Sequence, residues 1–96
     1  MYVVSLTYTA SLDRVDDALN AHRVFLARQF EAGVFVMAGP KVPRDGGVII
    51  AVCIERSRLD EILASDPFAQ QKLARYDVTE FRATRLAPGL NLKVPE

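Results

Sequence analysis

The chain has 96 residues, half of them hydrophobic, and its 12 basic and 12 acidic side chains give a formal net charge of zero. This length fits one domain with a modest core, a size that often gains stability by pairing. Neutrality argues against a nucleic-acid footprint, which needs a basic surplus on one face, and removes the usual reason to expect binding to an anionic membrane, and no apolar run approaches the roughly 20 residues of a membrane helix.

The start, Met1 to Ser5, has no basic stretch and no small-residue cleavage site, so no signal peptide is expected and a cytoplasmic setting is the default. Cys53 is the single cysteine and sits in an apolar run, where it reads as a small buried hydrophobe rather than a nucleophile. One Cys and one His do not make a zinc or iron–sulfur site, and no cofactor is expected.

Residues 2–9 are rich in β-branched and aromatic types and predict a first strand. A long helix follows, with Ser11 or Asp13 as N-cap and Asp16 and Asp17 suited to the positive end of its dipole. Val15, Leu19, Leu26 and Phe30 recur at helical spacing, with Ala18 and Phe25 on the flank, and Gly33 closes the helix. Residues 34–39 predict a second strand. Pro40 to Gly47 predict a loop, with Asp45-Gly46-Gly47 as turn chemistry. A third strand is expected over 48–54, and a second helix from Ser57 as N-cap with Asp60 three residues on. The apolar side of that helix is Leu59, Ile62 and Leu63. Asp66-Pro67 restarts or kinks it, and Phe68 and Leu73 supply apolar contacts beyond. Residues 76–85 predict a fourth strand. The expected domain spans 1–86, with 87–96 an irregular tail.

The order β-α-β-β-α-β predicts a ferredoxin-like α+β sandwich, an antiparallel four-stranded sheet with two helices on one face. The third strand is apolar on both sides, with Val48, Ile50, Val52 and Ile54 on one and Ile49, Ala51 and Cys53 on the other. A strand of that kind needs both faces buried, and nothing else in the chain can cover the second. A homodimer packed sheet against sheet is therefore expected.

His22 is the only histidine. At about 100° per residue it falls inside the apolar stripe of the first helix, so its ring points toward the sheet and needs a polar partner. Asp66 is placed in the same way one turn past Ile62 and Leu63, and both helices lie on one face of the sheet. If the two meet, a carboxylate on one ring nitrogen fixes the tautomer and leaves the other nitrogen as a base. No Ser, Cys or Thr nucleophile in a recognised setting points to a hydrolytic triad. Two plain readings compete: an inward His as a satisfied core group, and Asp66-Pro67 as an N-cap with proline at the first helical position.

The loop Gly39-Pro40-Lys41-Val42-Pro43-Arg44 is the next candidate. Gly39 allows close approach of a ligand to the backbone, while Lys41 and Arg44 either meet an anionic substrate or, as the plainer reading, line a solvated connection. Tyr8 either holds a polar group of a substrate or packs in the core. The glycine pair has no Lys-Ser or Lys-Thr after it, so no phosphate loop is implied.

Taken in order, Ala21-His22-Arg23-Val24-Phe25-Leu26, Glu31-Ala32-Gly33-Val34, Ala38-Gly39-Pro40, Gly46-Gly47, Ser65-Asp66-Pro67-Phe68-Ala69 and Tyr76-Asp77-Val78-Thr79-Glu80-Phe81 resemble the YCII-related (YciI-like) proteins over about residues 2–85. The resemblance implies a ferredoxin-like fold in a dimeric α/β barrel and a site built on a His–Asp pair, here His22 and Asp66. Relatives of that group, a dehydrochlorinase of a chlorinated hydroxyhydroquinone and muconolactone isomerase, imply proton transfer on small cyclic or aromatic compounds without a cofactor. The expected function is therefore a lyase or isomerase acting on a small organic acid or phenolic compound. His22 and Asp66 are its catalytic pair, and Tyr8, Gly39 and Pro40 its substrate contacts. The alternatives are a non-catalytic small-molecule-binding or accessory domain and a purely structural dimeric domain.

Overall fold

A computed structural model describes residues 1–52 and 54–92. The reading of Cys53 and the last four residues of the tail lie outside the described residues. The elements are β1 (Tyr2–Tyr8), α1 (Leu12–Glu31), β2 (Phe35–Pro40), β3 (Gly46–Ala51), α2 (Arg56–Ala64), α3 (Pro67–Gln70) and β4 (Ala74–Glu80). All strand pairs are antiparallel and the order across the sheet is β2-β3-β1-β4, the ferredoxin-like α+β arrangement. Tyr2, Val4 and Leu6 of β1 and Ile49 and Ala51 of β3 share one core with Val15, Ala18 and Phe25 of α1 and Leu59, Ile62 and Leu63 of α2. Both long helices therefore cover the same face, because alternate strand residues turn to it and the helices offer one apolar arc each.

Local chemistry sets the ends of α1. Ser11 holds an extended backbone and its hydroxyl accepts from the Arg14 N–H, so Ser11 and not Asp13 is the N-cap. At the other end Gly33 has φ +78°, and the Val34 N–H returns to the Gln29 carbonyl at 3.0 Å, which closes the helix as its position predicted. The buried arc is Val15, Ala18, His22 and Phe25. Leu19 and Leu26 are half-buried and Phe30 is exposed, so the stripe read from the sequence is rotated toward what proves to be a cleft.

Several boundaries differ from expectation. β3 starts at Gly46, two residues before the expected start, and ends at Ala51 rather than 54. Gly46 and Gly47 belong to the ladder, paired with Thr7 and Leu6, rather than to a turn. The reason is steric: a Cβ at Gly46 would lie 1.8 Å from the Leu6 carbonyl oxygen, so only glycine lets β3 approach β1 there. α2 is capped by Glu55 without a side-chain bond, not by Ser57, and Asp60 instead pairs with Arg56 at 2.9 Å. Asp66 stands outside α2 as N-cap of the separate short helix α3. β4 runs from 74 to 80 instead of 76 to 85.

A bulge in β2 between Phe35 and Met37 switches the face of the following residues. Phe35 enters the core while Met37 stands 57% exposed on the uncovered side of the sheet. Val3, Val48 and Ile50 share that side by register and are half-buried. No helix among the described residues is long and apolar enough to cross a membrane.

Candidate functional site

The sequence Asp66-Pro67-Phe68 builds most of the site in one short turn. Asp66 has an extended backbone, proline follows at the first helical position, and the carboxylate Oδ1 accepts from the Phe68 N–H at 3.0 Å. The same Oδ1 meets His22 Nδ1 at 2.8 Å, and the Tyr76 hydroxyl donates to Oδ2 at 2.5 Å. Asp66 is 0% exposed. The plain N-cap reading and the pairing with His22 are thus both realised, on a single carboxylate.

Tyr76 had no role in the reading of the sequence. Its signal was the alternation Ala74, Tyr76, Val78, which turns these three toward the helices and sets Tyr76 opposite Leu6. Burial above all, and then the neighbouring Asp66 charge and hydrogen bond, push the Tyr76 phenol well above its ordinary value. The phenol therefore stays protonated and remains a donor. With an amide and a phenol both donating to the carboxylate, the consistent role of His22 Nδ1 is donor as well, which leaves the lone pair of the neutral ring on Nε2.

His22 is 8% exposed and its ring is clamped. Phe68 stacks on it with centroids 3.9 Å apart and planes 5° from parallel, and Phe25 stands 6.2 Å away with its plane inclined by 28°. A ring gripped by one hydrogen bond and a stacked neighbour has lost its rotational freedom, which is what a positioned acid/base group requires. No buried side-chain nitrogen or oxygen lacks a partner among the described residues. Nε2, which has no partner among the described residues, is therefore open to the space beside it.

That space is a cleft of about 420 Å³ between α1 and the β2–β3 side of the sheet. Its walls are mainly apolar: Leu6, Leu19, Leu26, Phe30, Ile49 and Phe68. Tyr8, Gly39 and Pro40 all line it, as do Arg23 and Arg44, whereas Lys41 turns to Thr7, with Nζ 3.4 Å from its hydroxyl. Arg44 bonds to Asp16 of α1 at 2.5 Å and lies 5.8 Å from the Tyr8 ring centre. The Asp16 carboxylate, as hydrogen-bond acceptor, raises the Arg44 guanidinium above its ordinary value, so it is always charged. Among the described residues no group of three or more His, Cys, Asp or Glu side chains stands close enough to hold a metal.

The fold and the site together define a class: a small ferredoxin-like domain with a buried carboxylate–imidazole pair at the edge of an apolar cleft. The YCII-related domain matches residues 1–82, and the chain belongs to that family. Among solved structures it is similar to 5-chloro-2-hydroxyhydroquinone dehydrochlorinase from Burkholderia phenoliruptrix AC1100, in complex with 2,5-dihydroxybenzoquinone. The TM-score is 0.70 at 17% identity, with 84% of this chain and 93% of that one covered, a likeness of fold. No curated protein matches the sequence.

Proposed function

We propose that this protein is a cofactor-independent lyase or isomerase that moves a proton on a small organic acid or phenolic compound, with His22 as general acid/base and Asp66 as its orienting partner. The observation that carries the reading is the open Nε2 of a ring whose Nδ1 is held at 2.8 Å by a fully buried carboxylate, at the wall of a mostly apolar cleft. In the proposed step Nε2 takes a proton from carbon or oxygen, and the imidazolium that forms faces the Asp66 carboxylate. The ring then returns the proton to a second substrate atom; in an elimination, instead, the electrons of the broken bond form a new π bond, the leaving group departs with the electron pair of its own bond, and the ring passes the proton to water. Tyr8, Gly39 and Pro40 would contact the substrate from the sheet side. The dehydrochlorinase of similar fold, which acts on a chlorinated hydroxyhydroquinone, supports the phenolic side of the proposal.

The test is turnover of a panel of chlorinated hydroquinones and small carboxylic acids, followed by deuterium incorporation from heavy water and by chloride release. His22→Gln should lower the rate about 100- to 10,000-fold with the circular dichroism spectrum unchanged. An unchanged rate overturns the assignment. Binding near His22 without any exchange would favour the alternative, a small-molecule-binding or accessory domain.

The proposed working unit is one domain over residues 1–86 with a short tail, acting in the cytoplasm as a homodimer packed through the uncovered face of the sheet. Support comes from Val3, Met37, Val48 and Ile50, which share that face. Sedimentation at micromolar concentration should give a dimer, and a monomer throughout refutes it. No nucleic acid or membrane enters this reading.

A further inference from the structure

We propose that the cleft selects monoanionic aromatic ligands, and that Arg44 is the residue that reads their charge, held by Asp16 until the ligand arrives. The proposal rests on the reading of the cleft as a ligand site and adds the chemical class it takes. Three basic side chains, His22, Arg23 and Arg44, line the cleft and no carboxylate does among the described residues, the partners Asp66 and Asp16 standing behind His22 and Arg44. The whole chain has no net charge, so this one-sidedness belongs to the cleft and not to the protein.

Arg44 is suited to the task by what it leaves unused. A guanidinium carries five N–H donors in a planar fork, and the bond from its Nη2 to Asp16 uses one of them. That pair is half-exposed on both sides, so it is worth little and exchange of the Asp16 carboxylate for a ligand carboxylate or phenolate is easy. The rest of the lining is largely aromatic and aliphatic, with Tyr8, Leu26, Phe30 and Phe68 among it. Such walls suit the flat apolar body of a ring, with its anionic substituent at Arg44 and another position at Nε2.

The experiment is equilibrium binding of 4-hydroxybenzoate and of its neutral counterpart, 4-hydroxybenzamide, by calorimetry. The wild type should bind the anion about tenfold more tightly. Arg44→Ala should abolish that preference, and Asp16→Asn, which frees the guanidinium, should widen it. The preference should survive in His22→Ala, because it is read from binding and not from turnover. Undiminished turnover in that variant, with the preference intact, would therefore count against the proton-transfer reading alone. Equal affinities in the wild type, an undiminished preference in Arg44→Ala, or no binding of either compound overturns the proposal.

Discussion

The two long helices cover the same face of the sheet but treat it differently. Under α2 the apolar side chains are sealed: Leu59 is fully buried, and Ile62 and Leu63 are nearly so. Under α1 the seal stops short. Val15, Ala18 and Phe25 reach the core, while Leu19, Leu26 and Phe30 line the wall of a cleft. The short helix α3 stands at the division, since Phe68 belongs to the core and also stacks on His22 at the cleft. Apolar residues at helical spacing thus serve two ends in one domain, close packing on one side and a cavity wall on the other. The arcs are alike in composition, and they differ in whether the space beside them is filled.

Breaking the division itself should have the largest effect. Asp66→Ala would strand the Tyr76 hydroxyl, the Phe68 N–H and the His22 Nδ1 in a buried setting, and a loss of about 4 kcal/mol is expected in urea unfolding. A loss below about 1 kcal/mol would mean that these three donors find water and that the carboxylate does not hold the two sides together. Next comes the direct contrast of the helices. Leu59→Ala should cost about 3 kcal/mol because it opens a cavity in sealed packing, whereas Leu26→Ala should cost about 1 kcal/mol or less because its site is already half open. Equal losses would erase the contrast.

The smallest effect is a dependence on pH. In the fold, burial first and Asp66 second keep the Tyr76 phenol protonated, whereas in the unfolded chain it ionises near its ordinary value of 10.0. Unfolding therefore releases a proton above that pH. The contribution to stability is complete below pH 10.0 and is lost as the pH rises past it. The expected fall, reduced by solvent at a partly exposed ring, is about 1 kcal/mol over the first pH unit. Tyr76→Phe should flatten the slope, leaving the part due to Tyr2, whose phenol burial also raises. An alkaline slope unchanged in that variant would show that the phenol is not held as described.

Order and type of the elements were legible in the sequence because they rest on local chemistry: alternation in β1, the Ser11 cap, Gly33 at the end of α1 and the proline after Asp66. The inward direction of His22 was legible for the same reason, since a helix has a fixed period. Tertiary structure decided what local patterns do not encode. The start of β3 was set by the close approach of two backbones at Gly46, the exposure of Met37 by a bulge, and the rotation of α1's apolar arc by an empty space beside it. The role of Tyr76 was decided there too, because a strand residue meets a carboxylate ten positions away only once the sheet has placed them together. Period and capping are properties of a few neighbouring residues. Distances across the core, and the cavities left by unfilled packing, belong to the whole chain at once.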